Sequence, residues 1–219
     1  MLSTQLINSG FPSVHLNDSA SIALQLMDDY DVQHLPVTAD EKYMGLVAKS
    51  DLLDLSEEQN IGSEPSLIHA YSVKGEEHFL SALKLASDKE ISLVPVINEQ
   101  SELIGVIPVP ELIQYLSNFL GNNEPGGIIV LEISKRNFSF GEISRLVETN
   151  DALITQCNTF TEPETGLVII TLKINKIEVS AIVATFQRYE YIVRYYFGEE
   201  SYANELKDNY NHLLAYLNV

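Results

Sequence analysis

The chain has 219 residues and a mass of 24.5 kDa, enough for one or two domains with real hydrophobic cores. Hydrophobic residues make up 45% and charged residues 20%, with a mean hydropathy of +0.02, so the composition is that of a folded soluble protein and not a disordered one. The formal net charge of -18 disfavours sequence-independent binding to nucleic acid or to an anionic membrane.

The negative charge is concentrated in the first half of the chain. Residues 1–121 contain 18 acidic side chains and five lysines but no arginine, the side chain that best holds phosphate. The single cysteine, Cys157, excludes an internal disulfide and a cysteine metal cluster, which is usual in a reducing compartment. The N-terminal residues lack the basic segment followed by an apolar core that is typical of a secretion signal. The sequence also lacks the run of roughly 18 apolar residues that a membrane span needs. We therefore expect a cytoplasmic location without a membrane partner.

An internal repeat runs through this first half. The segment LPVTADEKYMGLVAKSDLL at 35–53 returns as VPVINEQSELIGVIPVPELI at 94–113. A proline, a glycine and an acidic residue recur about 60 positions apart, as Pro36 and Pro95, Gly45 and Gly105, and Asp51 and Glu111. The sequence predicts two related copies, at about 10–55 and 68–120.

Each copy is predicted to begin with a short strand near Val14 or Val73, followed by a helix, a strand, a turn, a strand and a closing helix. The helices are expected at 19–30 and 78–89. Their apolar spacing predicts two buried faces, one with Ile22, Leu26 and Tyr30 and the other with Leu80, Leu83 and Ser87. The second copy can cover the sheet surface that the first leaves open.

A cluster of Gly, Pro and Asn at residues 121–127 predicts a domain boundary. Beyond it we expect strands at 128–133, 153–160, 168–174 and 191–197, with helices from Phe140 and at 176–188. One helical face would carry Phe140, Ile143, Leu146 and Val147. The order βαββαβ is that of a ferredoxin-like unit. Residues 199–219 predict a last helix whose apolar stripe runs from Tyr202 to Leu217 and packs on its own subunit or on a second.

The repeat resembles a tandem cystathionine-beta-synthase (CBS) domain pair. The resemblance lies in LPV or VPV, then GLV or GVI, and then an acidic residue, a pattern that occurs twice. The resemblance implies a regulatory, non-catalytic module whose clefts bind adenosine-containing ligands and which forms dimers. Residues 127–198 are similar to the ACT family, whose small domains often join sheets in a dimer and bind amino acids. ACT domains usually carry an Asp-Arg-Pro-Gly-like turn, where this chain has Ser134-Lys135-Arg136-Asn137-Phe138 and so lacks the glycine. The expected fold is a mixed α/β one: a CBS-pair module at 1–121, a ferredoxin-like, ACT-like domain at 127–198, and a terminal helix at 199–219.

In copy 1 the resemblance places the nucleotide signature at Ala48, Ser50 and Asp51, with Ala48 in place of the usual hydroxyl. A carboxylate at a helix start can accept both hydroxyls of a ribose. Alternatively, Ser50 or Asp51 only caps a helix beginning at Leu52. If one cleft binds a nucleotide, we expect it to use Asp51.

In copy 2 the corresponding positions hold Pro108, Pro110 and Glu111. Prolines remove amide donors, and Glu111 either reaches a ribose or only favours the start of a helix.

For the adenine, the resemblance points to Gln33, His34 and Leu35, with Ser13 near the first strand. The alternative for His34 is a surface histidine with its hydrogen bonds satisfied.

The sequence predicts a non-catalytic sensor, homodimeric and acting on an unidentified protein. It would require no cofactor and would bind adenosine, AMP or S-adenosylmethionine in preference to ATP, because few cations could neutralise a triphosphate. Two alternatives remain open: a scaffold whose clefts no longer bind, and a divalent-cation sensor using Asp28, Asp29 and Asp31 or Glu76 and Glu77. The five histidines have no HxH or HExxH spacing, and Cys157 is expected as an inert buried thiol. The tyrosines and arginines at 188–196 are expected at a sheet edge or a dimer surface rather than as a base-stacking surface.

Overall fold

The computed structural model describes residues 1–198, and the chain divides into two compact units after Leu116. The helix predicted at 199–219 lies outside the described residues. Within residues 1–198, no helix combines the length and the apolar character needed to cross a bilayer.

The N-terminal unit contains the same arrangement twice. Its elements are β1 (Val14–His15), α1 (Ala20–Asp29), β2 (His34–Ala39), β3 (Lys42–Ala48), α2 (Lys49–Leu52), β4 (Val73–Lys74), α3 (Phe79–Lys89), β5 (Leu93–Ile97), β6 (Leu103–Pro108) and α4 (Val109–Phe119). The sheets have the orders β1-β2-β3 and β4-β5-β6. In each, the first strand runs parallel to the second, and the second and third form an antiparallel hairpin. The predicted repeat and both hairpins are confirmed.

The two copies share one hydrophobic core. Leu35 and Val47 from the first copy and Leu93 and Ile107 from the second are fully buried members of the same cluster. Neither copy therefore has a complete core of its own, as the open sheet surface of a single copy predicted.

The predicted helix faces are wrong in register. Ile22 and Tyr30 are 47% and 48% exposed, and Leu80 is 42% exposed. The buried stripes are Ala20, Ala23 and Met27 on α1 and Phe79, Ala82 and Ala86 on α3. Alanine at the centre of the contact lets a helix approach its sheet closely, and a pattern drawn from large side chains alone misses that face.

The C-terminal unit is an antiparallel sheet covered on one face by two helices. Its elements are β7 (Gly127–Ile133), α5 (Phe140–Glu148), β8 (Ile154–Thr161), β9 (Val168–Ile174), α6 (Ser180–Arg188) and β10 (Ile192–Phe197). The strand order β10-β7-β9-β8 confirms the predicted ferredoxin-like unit and places β10 at an edge. Ile143, Leu146 and Val147 of α5 are fully buried as predicted, whereas Phe140 is 50% exposed. Helix α6 begins at Ser180, later than predicted, because the carbonyl of Lys176 instead accepts a hydrogen bond from the amide of Gly127.

Candidate functional site

The segment in front of each copy lies on the sheet of the other copy. The amide of Asn8 donates to the carbonyl of Val106 at 2.8 Å, and the amide of Val106 donates back at 3.2 Å. In the same way, His69 and Leu46 exchange backbone hydrogen bonds of 2.8 and 2.7 Å. Each cleft is thus built from both copies.

The repeated glycines lie beneath these crossing segments. A Cβ on Gly45 would come within 2.7 Å of the carbonyl oxygen of His69, and one on Gly105 within 3.0 Å of that of Asn8. Both glycines also have positive φ angles, 154° and 153°. The crossing backbones therefore explain why the repeat carries a glycine at this position.

The crossing at copy 2 opens onto a cavity with a volume of 610 Å³. It lies where the start of α4 meets the ends of α1 and α3 and the residues before β1. Its walls are formed by Asn8, Phe11, Tyr30–Gln33, Glu90–Ser92 and Pro108–Glu111. A volume of this size suits a nucleoside-sized molecule.

An aromatic pair and three carboxylates give the cavity its chemistry. The rings of Phe11 and Tyr30 meet edge to face with centroids 5.2 Å apart. Asp31, Glu90 and Glu111 belong to the walls, and the described wall residues include no lysine, arginine or histidine. Such walls can stack an aromatic ring and accept hydrogen bonds from hydroxyl or ammonium groups, but they do not neutralise phosphates.

The corresponding position in copy 1 has different chemistry. Tyr71 takes the place of Phe11 in the crossing segment, and the ammonium of Lys89 lies 5.2 Å from the centre of its ring. The imidazole of His69 stacks on the same tyrosine with centroids 5.3 Å apart. The two halves of the repeat have therefore diverged from an aromatic pair to a cation on an aromatic ring.

Asp51 and Ser50 lie inside the first turn of α2, which begins at Lys49 rather than at Leu52. The residue preceding the helix is Ala48, and no side chain caps it. The alternative that Ser50 or Asp51 caps this helix is therefore wrong. The hydroxyl of Ser50 instead donates to the carboxylate of Asp51 at 3.3 Å.

The residues predicted to bind the nucleotide are divided between different surroundings. Gln33 and Glu111 both line the 610 Å³ cavity, whereas Ala48, Ser50 and Asp51 do not. Leu35 is fully buried in the shared core, so its side chain is not part of a cleft. Ser13 is exposed just before β1 and does not line the cavity either.

His34 is partly buried and bonded to the other copy. Its Nδ1 lies 3.2 Å from both the amide nitrogen and the hydroxyl oxygen of Ser92. The pKa of the His34 imidazole is lowered, and burial is the main cause. The charge of Asp51 acts in the opposite direction and raises this pKa, whereas His69 lowers it further. The hydrogen bonds of His34 are satisfied, as the alternative predicted, but the ring is partly buried and bonded to the other copy.

The acidic cluster at the end of α1 contains an ion pair. The carboxylate of Asp28 accepts a hydrogen bond from the ammonium of Lys49. Across residues 1–198, no three His, Cys, Asp or Glu side chains are grouped closely enough to hold a metal ion. The cluster thus has the contacts of a solvated acidic surface.

In the C-terminal unit, a cavity of 500 Å³ lies beside the turn that follows β7. Ser134, Asn137, Glu142 and Tyr191 are among its walls, and the hydroxyl of Tyr191 donates to Glu142 at 2.9 Å. Cys157 is half-buried in β8 and not fully buried as expected, and burial raises the pKa of its thiol, which favours the protonated form.

Residues 4–58 match the family model of the CBS domain. A CBS domain pair/ACT domain protein from Thermotoga maritima is 23% identical, with a TM-score of 0.51 over 55% of this chain and 99% of the other. The N-terminal half has the fold of a CBS domain pair. A putative acetoin utilization protein (AcuB) from Vibrio cholerae is 20% identical over 57% of this chain and 98% of its own, with a TM-score of 0.47. CBSX2, solved in complex with AMP, is 19% identical over 54% of this chain and 97% of its own, with a TM-score of 0.47.

The fold of residues 1–198 is thus a CBS pair followed by an additional α/β domain. Sequence reasoning missed Phe11, Tyr30 and Ser92 in the CBS pair. The repeat itself held a signal for one of them, because Ser92 is the counterpart of Gln33, which the sequence did predict.

Proposed function

We propose that the CBS pair is a non-catalytic sensor that binds an adenosine-containing ligand in the 610 Å³ cavity beside Glu111. The observation that carries this proposal is the composition of the walls, which combine an aromatic pair with carboxylates and hold no cation among the described residues. We therefore assign the ligand to the cleft of copy 2, whereas the sequence favoured the cleft of copy 1 with Asp51.

Each part of an adenosine has a partner of suitable chemistry. Phe11 and Tyr30 offer ring surfaces for the base, since an adenine stacks on any aromatic side chain. Glu111 lies in the first turn of α4, where its carboxylate can accept both ribose hydroxyls. Asp31 and Glu90 add negative charge to the opening. The walls therefore favour uncharged adenosine, and S-adenosylmethionine with its cationic ammonium and sulfonium groups. They disfavour AMP, and ATP most strongly, because both carry negative phosphates.

Occupancy would be signalled through a homodimer to a partner protein. The exposed apolar side chains of Ile192, Tyr195 and Phe197 on the edge strand β10 support self-association. Light scattering with and without adenosine tests this part of the proposal.

Calorimetry and thermal unfolding with adenosine, S-adenosylmethionine, AMP and ATP test the binding site. We expect the first two to bind and to raise the melting temperature, and ATP to have no effect. Glu111→Gln should weaken adenosine binding by about tenfold or more, as expected for a hydrogen bond to a charged group. The matched control is Asp51→Asn, at the equivalent position of copy 1, which should leave the affinity unchanged.

Three results would contradict the proposal in different ways. Loss of binding in Asp51→Asn but not in Glu111→Gln would move the ligand to copy 1. Stabilisation by ATP alone would contradict the charge argument. No binding of any of the four compounds would favour a scaffold whose clefts do not bind.

A further inference from the structure

One hydrogen-bonded group joins the two copies directly behind the wall of the cavity. His34 begins β2 of copy 1, and Ser92 precedes β5 of copy 2. The hydroxyl oxygen of Ser92 accepts a hydrogen bond from the amide of Gln33 at 3.1 Å. Gln33 and Ser92 both line the cavity, and His34 does not. The position of this wall therefore depends on a contact made outside the cavity.

The contact requires a neutral imidazole. The backbone amide of Ser92 can only donate, so the His34 Nδ1 that it contacts at 3.2 Å must be an acceptor. The ring proton of the neutral form is then on Nε2. A proton on Nδ1 would face the Ser92 amide hydrogen and remove this hydrogen bond, leaving only the Ser92 hydroxyl oxygen, also 3.2 Å away, as an acceptor for Nδ1. The equivalent position in copy 2 is Leu93, so only one half of the repeat carries a titratable group here.

The charged groups that act on His34 come from two other segments. Asp51, in the first turn of α2, favours the protonated form, and His69, in the crossing segment, opposes it. Lys49, next along α2, is already paired with Asp28. Burial is the largest influence and lowers the pKa of His34 below its usual value, so the imidazole is neutral at neutral pH.

We infer that His34 makes the adenosine cavity sensitive to pH, because its protonation breaks the hydrogen bond that holds Ser92 in the cavity wall. This inference rests on the proposed function for the identity of the ligand. Acidification releases the Ser92 amide, displaces the wall formed by Gln33 and Ser92, and weakens binding. The loss of one such hydrogen bond corresponds to about a fivefold change in affinity.

The first experiment needs no ligand. In the full-length protein, the NMR signals of the Ser92 amide and of the His34 ring are followed from about pH 7.5 to about pH 5. We expect both to change with the same midpoint, below the usual histidine value of about 6.5. A Ser92 amide that does not follow the His34 ring overturns the inference. The matched control is His15→Gln, since the Nδ1 of His15 accepts only a local hydrogen bond from the amide of Asn17. Ser92 should titrate unchanged in that variant.

The second experiment measures adenosine affinity over the same range, in which adenosine itself stays uncharged. The wild type should lose about fivefold in affinity at the acidic end, and His34→Gln, whose amide oxygen can accept but does not titrate, should lose none. Equal pH profiles for the two proteins would overturn the inference while leaving the proposed function intact. Failure of adenosine to bind at every pH would overturn the proposed function, and the regulation of it, whereas the Ser92 titration would still decide whether the hydrogen bond responds to pH.

Discussion

The repeated glycines beneath the crossing segments give the most specific prediction about stability. Replacing Gly45 by alanine places a Cβ 2.7 Å from the His69 carbonyl oxygen and 2.7 Å from the Ile68 Cγ2 atom. Because a carbon and a backbone oxygen do not approach so closely, the crossing segment must move. The two hydrogen bonds between Leu46 and His69 lie at the same point and would be strained.

The size of the effect follows from three contributions. A non-glycine residue at a positive φ costs about 1 kcal/mol, overpacking adds about 1 kcal/mol, and weakening two backbone hydrogen bonds adds about 1 kcal/mol more. We expect Gly45→Ala to lower the free energy of unfolding by about 3 kcal/mol. Gly105→Ala, with its nearest contacts at 3.0 Å, should lower it by about 2 kcal/mol.

The matched control is Gly10→Ala in the same unit. Its Cβ would meet only the Asn8 side-chain oxygen at 3.6 Å, an ordinary contact, so the free energy of unfolding should change by less than about 0.5 kcal/mol.

Denaturant unfolding of the N-terminal unit measures the three variants, and amide hydrogen exchange of Leu46 and His69 locates the change. If Gly45→Ala is as stable as Gly10→Ala, or if exchange at Leu46 and His69 is unaltered, the steric reasoning is refuted.

Three further predictions concern individual side chains. Tyr191 keeps its hydroxyl proton, because burial raises its pKa to about 12. Tyr191→Phe therefore removes a hydrogen-bond donor to Glu142 and should lower the free energy of unfolding in urea by about 1 to 2 kcal/mol. An unchanged unfolding midpoint would contradict this. Hydrogen bonds from Arg194 lower the pKa of Glu162, so the ionised Glu162 stabilises the fold above the ordinary glutamate pKa and this stabilisation is lost as the pH falls. The melting temperature of Glu162→Gln should therefore decrease less on acidification than that of the wild type. An equal decrease in both proteins would refute the assignment. Phe79 is fully buried, so Phe79→Ala should cost about 4 kcal/mol in guanidinium unfolding; a loss under about 1 kcal/mol would show that its cavity collapses.

The repeat, the hairpins and the βαββαβ order could be predicted because alternating apolar residues and turn residues report local structure directly. Val168, Ile170, Leu172 and Ile174 alternate along β9 and all lie in the core of their unit. The strand periodicity of two leaves no choice of buried face. The helix faces were less constrained, because Ala23 and Ala82 carry little hydrophobic weight in the sequence yet occupy the tightest packing positions.

The cavity could not be predicted for a different reason. Phe11, Tyr30 and Glu111 come together only because the segment before β1 crosses to the sheet of copy 2. No local pattern reports a crossing between segments about a hundred positions apart in the chain. The family resemblance pointed to Asp51 in copy 1. The two clefts differ in chemistry, because one has the pair Phe11 and Tyr30 where the other has Tyr71 and Lys89.

The exchange of leading segments between the two copies has the geometry of a domain-swapped dimer held within one chain. In a swapped dimer each protomer lends an arm to its neighbour, and identical protomers can only make identical sites. Joining the two protomers in a single polypeptide removes that identity requirement. A substitution in one copy then alters one cleft and leaves the other unchanged. Examples are Lys89 at the position equivalent to Tyr30, and His34 at the position equivalent to Leu93. The fusion thereby lets a symmetric framework carry two chemically independent sites.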